Sequence, residues 1–200
     1  MLKRKLSENS GRSTLEMIGV LTIMAVLTIG GIAGYSKAMP KYRMSKMAEQ
    51  TSLIITNIRA AYAIKDDYAG LTTTAAIQMG AIAKEMTKIA SGTNTLAAFN
   101  PFGGRIFLSP AEDHKSVFIT IAGLPTNACV YLGSADWGGR VGNGIASVAT
   151  VAQSTQAPVS ERLTENIGTA EDNTLPLGVI EASNGCSGEE SNNAVVIEYR

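Results

Sequence analysis

Gly11-Arg12-Ser13-Thr14-Leu15-Glu16-Met17, followed by an uncharged run as far as Ser36, decides how this chain is organised. From Met17 to Ser36 there is no Asp, Glu, Lys or Arg. At 1.5 Å per residue, about twenty residues of helix cross a hydrocarbon core roughly 30 Å thick. Glu16 stands at the mouth of that run. An ionised side chain at the centre of a membrane helix costs roughly 2.5–3.5 kcal/mol on insertion scales. The cost near an edge is smaller, but a carboxylate placed there still needs a reason.

Upstream, Lys3, Arg4 and Lys5 make a basic leader. Leu6 to Ser10 is not an apolar stretch, and no small-residue cleavage site precedes a mature domain, so the leader departs from an ordinary secretory signal. Charge does not decide orientation. Lys3, Arg4, Lys5 and Arg12 on one flank are balanced by Lys37, Lys41, Arg43 and Lys46 on the other. The second group reads as lipid head-group contact, with intersubunit pairing or DNA contact as the alternative.

Downstream, Met44, Met47, Thr51, Ile54, Ile58 and Ala61 recur in steps of three and four, the stripe of an amphipathic helix, with Lys46, Glu49, Gln50 and Arg59 off it. A continuous helix from about Leu15 to Ala63 is therefore expected, roughly 70 Å long. Gly30, Gly31 and Gly34 lower its propensity, and Pro40 removes a backbone donor, so a kink or local melting is expected at Pro40. These residues suit either close helix packing or a segment that extends when drawn into an assembly.

The remaining residues are polar and rich in Gly, Ala, Ser and Thr. With Lys+Arg 17 against Asp+Glu 17 the net charge is zero, and no basic excess points to nucleic acid. The only histidine, His114, lies in a polar Ala-Glu-Asp-His-Lys loop and cannot by itself supply a zinc ligand set. Gly138 to Gly144 lacks the Gly-Lys-Ser/Thr ending of a phosphate loop and reads as a plain loop. Asp66-Asp67 reads as a solvated turn. No catalytic group, metal site or cofactor is expected. The two cysteines, Cys129 and Cys186, form one disulfide if the domain is exported, and separate buried thiols otherwise.

Local patterns give a coarse map of this region. Thr72-Thr73-Thr74 offers N-caps for a helix over Ala75 to Ala90. Asn100-Pro101-Phe102-Gly103-Gly104 is a turn; Arg105 to Leu108 and Ser116 to Ala122 are strands. Thr126 to Leu132 is a short helix carrying Cys129. Short helices are expected near Ile145 to Ala152 and Pro158 to Asn166, and strands over Leu177 to Ala182 and Ala194 to Tyr199. The expected fold is α+β: a long N-terminal helix, membrane-spanning over about 17–36 and then amphipathic, packed on an antiparallel sheet, with one disulfide-bounded C-terminal region.

The segment Gly11 to Glu16 with its apolar helix resembles the processing signature of type IV pilins and secretion pseudopilins. Asn100 to Gly104, Val117 to Leu124, Ala128-Cys129 and the Cys186 segment look like the type IVb, toxin-coregulated kind. The resemblance implies three segments: 1–11, a cytoplasmic leader that is removed; 12–63, the N-terminal helix; and 64–200, a periplasmic or extracellular globular domain. It implies cleavage between Gly11 and Arg12 by a prepilin peptidase and N-methylation of Arg12, which stands where the family usually has Phe, Met or Leu. Glu16 becomes the fifth mature residue and faces the N-terminal amine of a neighbouring subunit. The partners implied are further copies in a helical fibre, the peptidase, the inner-membrane assembly machinery, and the membrane itself before assembly. The implied location is the bacterial inner membrane as a single-pass precursor and then the surface pilus. The Cys129–Cys186 bridge bounds the family's variable surface region. A secretion pseudopilin, a minor pilin, and a membrane-anchored periplasmic enzyme or binding protein are the alternatives.

Overall fold

In a computed structural model the residues described are 14–90, 92, 94–138, 144–153 and 156–200. The chain divides into two units, Met1–Tyr42 and Arg43–Arg200. One helix, α1 (Thr14–Tyr62), supplies all of the described part of the first unit and the opening of the second. It runs on through Pro40, which lies in its interior.

Within the second unit α1 buries Met47, Gln50, Thr51, Ile54, Ile58 and Tyr62, each three, four or one residues from the last. That is the expected stripe with three differences. Met44, at its expected start, is only partly buried. Tyr62 rather than Ala61 closes it, and Gln50 is buried rather than off it. Gln50 lies four residues before Ile54 and so falls on the same face. Thr51 is tolerated in the core because its hydroxyl donates to the Met47 carbonyl at 2.9 Å.

The stripe packs on an antiparallel sheet of seven strands: β1 (Thr87–Ile89), β2 (Leu96–Phe99), β3 (Arg105–Pro110), β4 (Val117–Leu124), β5 (Ile145–Ala152), β6 (Ile167–Thr169) and β7 (Asn193–Tyr199). Their spatial order is β1-β2-β3-β4-β7-β5-β6, so the last strand in sequence lies inside the sheet, between β4 and β5. Alternation along β4 and β7 sends Val117, Ile119, Ile121, Val195 and Ile197 into one core with Met47, Ile54 and Ile58. Fully burying a side chain of this size contributes roughly 1.5–3 kcal/mol. On the other face Phe107, Ala122 and Ala194 form a smaller cluster. There the segment after β5 docks through Gln156, whose Oε1 accepts from the Arg105 N–H at 2.7 Å, and Val159, whose N–H donates to Thr120 Oγ1 at 3.1 Å.

Among the described residues three further α-helices complete the second unit: α2 (Thr73–Gln78), α3 (Thr126–Gly133) and α4 (Val179–Gly185). Thr72 caps α2 by accepting from the Ala75 N–H. The helix expected to reach Ala90 ends at Gln78 instead. Gly80 takes φ 78°, and the Gly80 and Ala81 N–H groups turn back onto Ile77 and Ala76. A left-handed glycine is a common helix stop, and here it frees the chain for a 3₁₀ turn and β1.

Three further expectations are corrected. Ile145 to Ala152 is strand β5, not helix. Its β-branched Ile145, Val148, Thr150 and Val151 pair with β7 residues some fifty positions later, in registers such as Val148↔Ile197 and Thr150↔Val195. Pro158 to Asn166 holds no helix; this stretch packs irregularly over the outer sheet face through Val159 and Arg162. Leu177 to Ala182 is not a strand, because helix α4 begins at Val179, with the Ala182 and Cys186 N–H groups donating to Gly178 and Ala182. A short apolar run does not by itself distinguish helix from strand. Here the choice is made by packing against α3, to which α4 is joined by a disulfide between Cys129 and Cys186 with Cα atoms 5.9 Å apart.

Candidate functional site

The described part of the first unit is one helical stretch with every large apolar side chain between Leu15 and Tyr35 about half or more exposed. Leu15 is 80% and Leu27 69% accessible, so the stretch by itself leaves its apolar surface open. It is long and apolar enough to cross a membrane by length and composition, with mean hydropathy 2.1 in its best window. Three of its hydroxyls are satisfied within the helix: Thr22 donates to Ile18, Thr28 to Met24 and Ser36 to Ala33, at 2.8, 2.8 and 3.0 Å. Bonded in this way, these three side chains present no unpaired donor to lipid or to a neighbouring helix.

Glu16 lies in the first turn of α1, exposed, where the positive end of the helix dipole favours a carboxylate. No cation of the described chain pairs with it. Gly11 and Arg12, the expected cleavage and methylation positions, lie outside the described residues. A Cβ built at Gly30, Gly31 or Gly34 would meet nothing within 4 Å, so no contact among the described residues requires glycine there.

In the second unit the disulfide holds α3 and α4 against β5. Thr150 sits between the two helices: its hydroxyl donates to the Ala182 carbonyl at 3.2 Å, and a Cβ at Gly133 or Gly185 would collide with it. Cross-linking Cys129 and Cys186 closes a loop with sequence separation 57, worth about 4 kcal/mol on the chain-entropy estimate.

A charged cluster lies on the outer face of the sheet and escaped the sequence reading. Glu198 on β7 is 3% exposed and accepts from Ser147 Oγ at 2.8 Å, Arg162 Nε at 2.7 Å and Arg200 Nε at 3.3 Å. Glu171 bridges the two arginines at the rim, 3.6 Å from Arg162 and 3.0 Å from Arg200. Burial pushes the Glu198 carboxyl up, but the Arg162 and Ser147 hydrogen bonds with the nearby guanidinium charges hold it below the usual carboxylate range. The hydrogen bond to Glu198 raises Arg162 in turn, against the opposing effect of burial. A cleft of about 300 Å³ beside the cluster is lined by Glu112, Asp113, Arg162, Glu198 and Arg200 among others. The available signal in sequence was a lone Glu in the apolar strand Ala-Val-Val-Ile-Glu-Tyr.

His114 occupies a turn at φ 57°, and its carbonyl accepts from the Tyr68 N–H at 2.8 Å. Asp67 Oδ1 accepts from the Ala69 N–H, an Asx turn. Residues 139–143 of the glycine-rich loop lie outside the described residues. Among the described residues no group of three or more His, Cys, Asp and Glu side chains is placed to hold a metal ion.

Comparison with known proteins adds a family and a fold. The family described as PilS N terminal matches residues 41–199. The fold resembles a type IVb pilin from Salmonella typhi, with TM-score 0.56 and 20% identity, covering 78% of this chain and 99% of that one. It also resembles TcpA, a type IV pilin from Vibrio cholerae El Tor, with TM-score 0.51 and 15% identity, covering 80% and 99%. Among curated proteins the sequence comparison finds no match.

Proposed function

The chain belongs to the PilS family of type IVb pilins, and from that premise we propose that it is the building block of a helical surface fibre, joined to its neighbours through α1. The observation that carries this reading is the first unit: a membrane-length helix with its apolar surface uncovered and a single carboxylate, Glu16, in its first turn.

In this account the precursor inserts in the bacterial inner membrane with residues 1–11 on the cytoplasmic side. A prepilin peptidase cuts between Gly11 and Arg12 and methylates the new amine. The mature subunit waits as a single-pass membrane protein, its disulfide-bonded unit in the oxidising periplasm. Assembly machinery then moves it into a fibre whose centre is bundled helices. Transfer from lipid to a bundle gains little hydrophobic free energy, because lipid tails are as apolar as leucine. The drive must come from packing and from polar pairs. Gly30, Gly31 and Gly34, free inside the subunit, allow close helix approach, and Pro40 permits bending or local extension. Glu16 sets axial register, because at a low-dielectric contact it is stable only where the Arg12 amine of a neighbour meets it.

Substituting Glu16→Ala tests this directly. Membrane insertion and leader removal should persist while incorporation into sheared fibres falls. Fibres as abundant as those of the parent would overturn the proposed role of Glu16.

A further inference from the structure

At the end of the apolar helix opposite Glu16, two features meet that the assembly reading does not use. Glu16 and Lys37 are separated by twenty-one residues of continuous helix, about 32 Å at 1.5 Å per residue, which matches a hydrocarbon core about 30 Å thick. Lys37 therefore falls where the apolar core gives way to head groups. Lys41 lies one turn further on, on the same face, with the two Cβ atoms about 6 Å apart. Both lysines are exposed, and neither has an ion-pair partner among the described residues. The sequence holds no Asp or Glu between Glu16 and Glu49, so no acidic residue on this stretch of helix neutralises them.

Tyr35 and Tyr42, 66% and 59% exposed, bracket the lysine pair at a spacing of seven, which puts them together on a different face. Tyrosine collects at the level of lipid head groups because its ring is apolar and its hydroxyl wet. Aromatic anchors at the level of the lysines favour a lipid surface over an acidic protein segment as the partner.

We propose that Lys37 and Lys41 form a two-pronged site for the phosphate of an anionic phospholipid in the leaflet facing the globular unit. The site rests on the membrane-spanning reading of α1 and adds lipid selectivity to it. Its consequence is a subunit reservoir concentrated in anionic regions of the membrane, and an assembly step that must strip lipid from the lysines before the helix leaves.

The test uses the full chain reconstituted in nanodiscs of equal phosphatidylglycerol and phosphatidylcholine. Lipid retained after transfer to mild detergent is counted by mass spectrometry. Phosphatidylglycerol should be enriched over the bulk ratio in the parent, and the enrichment should fall by roughly thirty-fold at most in Lys37→Gln/Lys41→Gln, as expected for two basic groups at an anionic surface. Lys37→Arg/Lys41→Arg should retain it, and high salt should erase it. Retained lipid at the bulk ratio in the parent, or enrichment unchanged in the double glutamine variant, overturns the proposal. Resistance to alkaline extraction from native membranes is measured alongside. A chain that resists extraction but shows no lipid preference refutes the lipid site alone, whereas a chain released by alkali refutes the membrane-spanning reading and the lipid site with it.

Discussion

Glu198→Gln asks how much the outer-face cluster stabilises the sheet. The substitution keeps size and shape but removes a charge that is 3% exposed and receives hydrogen bonds from Ser147, Arg162 and Arg200. Breaking a buried ion pair by removing one partner costs about 3–5 kcal/mol. Here the stranded Arg162 keeps 30% exposure and a second carboxylate, Glu171, at 3.6 Å, so part of its charge remains solvated and paired. That lowers the expected loss to about 2–3 kcal/mol. For a unit of this size it corresponds to a fall in Tm of about 5–10 °C. The Glu198 pKa is lowered in the fold, so its contribution is fully present above the unfolded carboxylate pKa and is lost as pH falls through the lower folded value. Parent and variant should therefore differ most near neutrality and converge in acid. Thermal unfolding of the full chain in detergent, followed by near-ultraviolet circular dichroism across pH, measures both effects. Equal stability at neutral pH, or a gap that widens in acid, would refute the reasoning.

Three further outcomes are expected. Cys129→Ala with Cys186→Ala should destabilise the second unit by about 4 kcal/mol, read as a lower urea midpoint; an unchanged midpoint removes the argument that the bridge constrains the unfolded chain. Gly185→Ala should drive a methyl group into the Thr150 backbone and side chain and cost about 1–3 kcal/mol in the same assay, whereas Ser183→Ala on the exposed side of α4 should cost little. Asn100→Ala should cost about 2–3 kcal/mol, because Asn100 is 5% exposed, accepts from the Phe102 and Gly104 N–H groups and donates to the Ala122 carbonyl; hydrogen exchange at Phe102 and Gly104 should accelerate.

What could be read from sequence was what repeats locally or carries a chemical signature. The helix stripe from Met47 to Ile58 shows itself by spacing, and the Asn100 to Gly104 turn by its residue types. Val117 to Ala122 alternates, and the only two cysteines pair with each other. Two of the errors share one physical origin. Ile145 to Ala152 and Leu177 to Ala182 are short apolar runs whose state is decided by distant partners, β7 in one case and α3 in the other. The helix expected beyond Gln78 stops at Gly80, a signal present in the sequence but outweighed by the apolar spacing further on. The central position of β7 and the pairing of Glu198 with Arg162 follow from sheet order, which local pattern does not encode. Of the features that the proposed assembly uses, Glu16 and the uncharged helix are legible because a carboxylate beside a membrane-length apolar run is costly. The openness around Gly30, Gly31 and Gly34 is a property of the folded chain that local pattern does not carry.

The central claim is that Glu16 works with an amine released by cleavage after Gly11. Intact-mass and fragment mass spectrometry of subunits sheared from the cell surface tests it most directly. The account predicts that the chain in the fibre begins at Arg12 with a methyl group on its α-amine. Fibre subunits that still begin at Met1 would contradict it.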